Sequence, residues 1–158
     1  MTKVKITADD LRIAEGALSE MDRAGIKFNS KTSYWLARNT DKIEREVKVL
    51  SKIRNELITK YGTPDDISGQ VTVQQFIDKT DAEGNVVMAH DVEGNPTHPE
   101  KIINPAIAEF SKEWDDVVAQ EIEIEITMIK VDDLVDSKRV AVDIKPNLLK
   151  GIAFMLEE

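Results

Sequence analysis

Apolar residues at Leu11, Ala14, Leu18 and Met21 recur at the three-and-four spacing of one helical face. Thr7-Ala8-Asp9-Asp10 stands just before them and resembles a capping box with Asp in the place of Glu. A first helix over residues 8–24 is predicted, ended by Gly25 in the left-handed region, and Asn29 or Ser30 then caps a second. In that second helix Leu36, Ile43, Leu50 and Leu57 recur every seven residues, with Thr40, Val47, Arg54 and Tyr61 at the companion positions. This is a coiled-coil-like seam. Gly62 and Pro64 stop the helix, which at about 30 residues and about 45 Å is longer than the first helix can cover. The uncovered part predicts either a second chain or a C-terminal helix folded over the seam.

Beyond Pro64 the period changes from helical to alternating, and Val71–Ile77 reads as a strand. Asp81-Ala82-Glu83-Gly84-Asn85 recurs ten residues later as Asp91-Val92-Glu93-Gly94-Asn95. Gly-Asn pairs suit tight hairpins, so residues 80–99 are predicted to form a small meander or an exposed β-arm. Asn104-Pro105 opens a third helix to about residue 120, with Ile107, Phe110 and Trp114 on its core face. Glu121-Ile122-Glu123-Ile124-Glu125-Ile126 then alternates cleanly, a strand with one buried face. Lys138–Ile144 is a further candidate strand, and Pro146 opens a final amphipathic helix over 146–156.

The fold class that results is α+β: an N-terminal helical hairpin over 8–61 with one long helix, joined to a small antiparallel sheet with two shorter helices. The sheet and shorter helices occupy 70–158. With 158 residues there is enough chain for one core, and the joint at Gly62–Ser68 is read as lying inside a single domain.

Charge divides the chain unevenly. Residues 1–60 hold 13 Lys and Arg against 9 Asp and Glu, and residues 61–158 hold 8 against 21, within a net charge of −9. The acidic half is unsuited to direct contact with a phosphate backbone. No apolar run reaches the length of a membrane span, and Met1–Thr7 has no signal-like apolar core, so a soluble, unprocessed protein is expected.

Candidate chemistry is sparse. Cysteine is absent, which removes thiolate metal sites and a cysteine nucleophile. Glu121, Glu123 and Glu125 share a strand face, but alternate strand residues stand about 6.5–7 Å apart, which favours a solvated or edge-protecting face over a cation site. The two Asp-Gly-Asn turns lack the twelve-residue loop with a distal Glu that an EF-hand needs. His90 and His98 have no positioned nucleophile beside them, and no phosphate-cradling glycine loop occurs. No catalytic residue, metal or cofactor is expected. Trp35 does not fit the Leu36 seam, so it either packs on the first helix or anchors a partner.

Four stretches taken in order resemble a family of short proteins of unknown function encoded by tailed phages and prophages. They are Ser30–Asn39, Arg54–Gly62, the Glu121–Ile126 strand and Ile144–Leu149, so the resemblance covers residues 30–158. It implies a phage product acting in the host bacterial cytoplasm or the virion. The expected function is non-catalytic: a virion, tail-associated or assembly component that contacts other phage proteins or itself. The alternative is an acidic inhibitor of a basic host protein, one that binds nucleic acid or acts in defence. The candidate interaction residues are Trp35, Leu36, Ile43, Leu50, Arg54, Glu121, Glu123 and Glu125.

Overall fold

The computed structural model describes residues 1–157. In chain order the elements are β1 (Thr2–Thr7), α1 (Ala8–Arg23), α2 (Ser30–Tyr61), β2 (Thr63–Pro64), β3 (Val71–Thr72), β4 (Phe76–Asp78), β5 (Met88–His90), β6 (Pro96–Pro99), β7 (Lys101–Ile103), α3 (Pro105–Val118), β8 (Glu121–Ile126), β9 (Ile129–Lys130), α4 (Pro146–Ile152) and β10 (Leu156–Glu157). The class is α+β, with a long helix after a short one. By contacts the chain gathers into two compact units: a composite unit of residues 1–52 and 116–158, and an inserted unit of 53–115. The division falls within α2 and within α3 rather than at Gly62–Ser68.

The composite unit owns the core. β1 and β8 pair antiparallel from Thr2 opposite Ile126 to Thr7 opposite Glu121. The pleat turns Ile6, Ile124 and Ile126 inward, where they join Leu11, Leu18, Ile43, Leu148 and Ile152 in one buried cluster. Each such side chain contributes about 1.5–3 kcal/mol by leaving water. β1 is not among the elements the sequence predicts, although Lys3-Val4-Lys5-Ile6 alternates as β8 does.

Local chemistry explains where the helices begin and end. Thr7 Oγ1 accepts the Asp10 N–H at 3.1 Å, capping α1. Past the end of α1, Gly25 takes φ +70°, and the N–H groups of Gly25 and Ile26 return to the carbonyls of Asp22 and Met21. That is a Schellman closure. Asn29 caps α2, accepting the Thr32 N–H at 3.0 Å, while its Nδ2 donates to the Asp133 and Val135 carbonyls. α1 and α4 cross closely at Gly151, where an added Cβ would lie 2.8 Å from Ala17 Cβ.

Two expectations for the C-terminal stretch are corrected. Lys138–Ile144 is not a strand: Asp136 Oδ1 accepts the N–H groups of Lys138 and Val140 and draws the chain into a turn, leaving one bridge between Val135 and Ala141. The last helix stops at Ile152 instead of residue 156 and passes through a 3-10 turn at Ala153–Met155. β10 then pairs parallel with β9, Leu156 opposite Ile129.

In the inserted unit Val71–Ile77 is two strands with different partners. β3 pairs with β2 and β4 with β7, and between them the Gln74 and Gln75 carbonyls accept from Asn104 Nδ2 and N–H. Residues 80–99 form hairpins rather than a meander, and three strands meet at one point. Lys79 N–H donates to the Glu100 carbonyl, Glu100 N–H to Val87, and Val87 N–H to Lys79, at 2.8, 2.9 and 2.8 Å. This closed triangle is a three-way junction. Its stem is β4/β7, and its arms end in the two Asp-Gly-Asn turns. β5 and β6 pair in the second arm.

Candidate interaction surfaces

The heptad seam is buried within the chain. Leu36, Ile43, Leu50 and Leu57 are 7, 0, 5 and 9% exposed. These four positions are covered by this same chain, while at the companion positions Thr40 and Val47 are half-buried and Arg54 is exposed. Trp35 is half-buried against the composite core, beside Met128 and Ile129, and its ring meets Tyr34 edge-on at 4.8 Å. Arg54 is exposed, its guanidinium 6.0 Å from the Trp114 ring centroid. Trp114 itself is half-buried, and no residue of α3 is fully buried, unlike the core face expected of it.

Glu121, Glu123 and Glu125 are exposed on the outer face of β8, as the alternation requires. Across the ladder Lys5 stands opposite Glu123 and Lys3 opposite Glu125, and Lys3 Nζ reaches Glu123 Oε1 at 2.7 Å. The carboxylates thus belong to a mixed-charge face. Lys42 adds a bond to the Glu125 backbone carbonyl at 2.5 Å.

Between α1 and α2 lies a groove of about 410 Å³ with an apolar floor that includes Met21, Phe28 and Leu36. Every charged residue of its lining is acidic: Glu15, Asp22, Asp41 and Glu44.

The inserted unit is poor in core. Leu57 and Asn104 are its only buried residues, and Phe76 and Ile103, directly opposed in the β4/β7 ladder, are 51 and 67% exposed. The unit holds 5 Lys and Arg against 12 Asp and Glu. Asp81 Oδ1 accepts the Glu83 and Asn85 N–H groups, and Asp91 Oδ1 those of Glu93 and Asn95. These bonds hold both carboxyls below the usual range, as bonds from Ser68 and Ile67 do for Asp65. Near the end of α2, Lys60 and Tyr61 both donate to Glu113 Oε1 at 2.6 Å, lowering that carboxyl and raising both donors. His90 and His98 are exposed on β5 and β6, and His98 Nδ1 lies 3.1 Å from the neighbouring Thr97 hydroxyl.

Sequence reasoning missed the buried polar residues Thr32 and Asn39 and the burial of Asn104. A polar residue on the seam side of an amphipathic helix was the available signal, since Asn39 lies between Leu36 and Ile43. Among the described residues no group of three His, Cys, Asp or Glu is placed to hold a metal ion, and no helix is long and apolar enough to cross a membrane. No family model matches the chain, and neither a curated protein nor a solved structure matches it.

Proposed function

We propose that this chain is a non-catalytic protein that works by contact. On the resemblance of residues 30–158, it is a virion, tail-associated or assembly component of a tailed phage, found in the host cytoplasm or the particle. The observation that carries the contact reading is the inserted unit. A β-ribbon over residues 71–103 with no buried residue and an exposed Phe76–Ile103 pair is a weak structure alone, because an isolated hairpin is marginal in water. Such a ribbon gains most when another surface covers it.

Mass spectrometry of purified virions tests the component reading, with the chain expected at stoichiometric amounts. Its absence from particles and from assembly intermediates would sink that reading. The double variant Phe76→Ser/Ile103→Ser, which removes exposed apolar area without touching the core, is expected to lower incorporation. A second reading, an acidic inhibitor of a basic host protein, is favoured by the net charge of −7 on residues 53–115. The β8 carboxylates serve it poorly, because Lys3 and Lys5 interleave with them.

A further inference from the structure

We infer that the groove between α1 and α2 is half of a self-complementary interface, and that its occupant is α2 of a second copy of this chain. The inference goes beyond the proposed function and is independent of it.

The groove selects for positive charge. Its four charged lining residues, Glu15, Asp22, Asp41 and Glu44, are all acidic, and none makes an ion pair among the described residues. The apolar floor asks for an amphipathic occupant rather than a free ion. Such a surface lies next to the groove on α2 itself. Lys31, Arg38, Arg45 and Lys52 recur every seven residues, and all are exposed, as is Lys48. At 100° per residue, Arg38, Arg45 and Lys52 fall within about 40° of one another on the side opposite Leu36 and Ile43. Arg45, Lys48 and Lys52 make no ion pair among the described residues.

Order along the helix fixes the direction of pairing. The acids Asp41 and Glu44 precede the bases Arg45, Lys48 and Lys52. A parallel pairing of two copies would set acid against acid. An antiparallel pairing about a two-fold axis near Glu46 sets Asp41 and Glu44 of each copy opposite Lys52 and Lys48 of the other. Both contacts are made twice, as a two-fold interface requires. The exposed Val49 lies among the bases and supplies an apolar contact. Exposed ion pairs are individually weak and are screened by salt, so the dimer is expected to dissociate as salt rises from about 0.05 M to about 1 M.

Charge exchange tests this directly. The wild-type chain at low salt is expected to scatter light as a species of twice 17.8 kDa. Asp41→Lys/Glu44→Lys and Lys48→Glu/Lys52→Glu change exposed positions only, and circular dichroism confirms that each variant is folded. Each alone is expected to be monomeric, because the residues at 41, 44, 48 and 52 that face one another across the two-fold then carry one sign. Mixed in equal amounts they are expected to form a heterodimer, in which both contacts again join opposite charges. A wild-type chain that stays monomeric across a hundredfold concentration range overturns the inference. So does either variant dimerising alone as the wild type does, or a mixture that fails to associate.

Discussion

Asn39 holds Thr127 by both ends of its backbone: Asn39 Nδ2 donates to the Thr127 carbonyl at 2.8 Å, and the Thr127 N–H donates to Asn39 Oδ1 at 2.9 Å. The amide stands where a neighbouring strand would, just past the end of β8, and at 1% exposure no water replaces it. Replacing Asn39 by Ala leaves two backbone groups without partners and opens a small void. Destabilisation of about 2 kcal/mol is expected in urea unfolding. Asn39→Asp keeps the shape but loses the donor and buries a charge, and is expected to cost at least as much.

Ile124 and Glu123 are adjacent on β8 and point to opposite faces. Ile124→Asp puts a carboxylate into the core, and a loss of several kcal/mol, enough to unfold a marginal protein, is expected. Glu123→Ala removes one exposed ion pair with Lys3 and is expected to change stability by less than about 0.5 kcal/mol. Thermal melts of the two variants in the opposite order would place β8 one residue out of register.

Three turns share one construction. Asp81, Asp91 and Asp136 each accept backbone N–H groups two and four residues on, and the residue three on has positive φ: Gly84 at 87°, Gly94 at 85° and Arg139 at 62°. Among the described residues Arg139 is the only non-glycine residue with positive φ. Left-handed backbone costs an L-residue about 1–2 kcal/mol, so Arg139→Gly is expected to raise the melting temperature, and Gly94→Ala to lower it. A fall on Arg139→Gly would show that the Arg139 side chain contributes more than its backbone strain removes.

Gly151 lies where α4 crosses α1, and an added methyl there would stand 2.8 Å from Ala17 Cβ, an atom fixed to its backbone. Gly151→Ala is expected to destabilise by about 1–3 kcal/mol. Adding Ala17→Gly should recover part of that loss, and a double-mutant cycle with no coupling would refute the close crossing.

Acid should loosen the inserted unit. Asp65, Asp81, Asp91, Glu100 and Glu113 are held below their ordinary values by backbone donors or by Lys79, Lys60 and Tyr61. A carboxyl whose folded value is depressed adds stability above its unfolded value and loses it as pH falls through the folded one. Amide protection at Glu83, Asn85, Glu93 and Asn95, followed by hydrogen exchange corrected for intrinsic rate, is expected to drop below the ordinary carboxylate range. Protection that stayed at full strength well below that range would refute the part assigned to these carboxyls.

Local signals carried far in this chain. The heptads of α2, the alternation of β8, the glycine at the end of α1 and the twin turns are each written in residues that lie together, and each formed as the spacing required. What failed depended on distant partners. Lys138–Ile144 has strand composition, yet Asp136 claims its amides first. Val71–Ile77 splits because Asn104, thirty residues away, takes the Gln74 carbonyl. Of the candidate site, the exposure of Glu121, Glu123 and Glu125 was legible from alternation. The burial of Leu36, Ile43 and Leu50 by this same chain was not, because a heptad stripe states that something must cover it without stating what.

The pairing of β1 with β8 also sets an order of events on the ribosome. Lys3 and Glu123 meet across 120 residues of sequence, and the whole inserted unit lies between them. During synthesis, β1 emerges well before β8 and has no strand to join until residues 121–126 appear. The inserted hairpins, whose contacts are local, can close meanwhile, and their closure shortens the effective loop that β1 and β8 must bridge. Contacts that span long stretches of chain form slowly. A nascent chain halted before residue 121 would thus expose the apolar faces of α1 and β1, making late synthesis the interval in which it is most prone to aggregate.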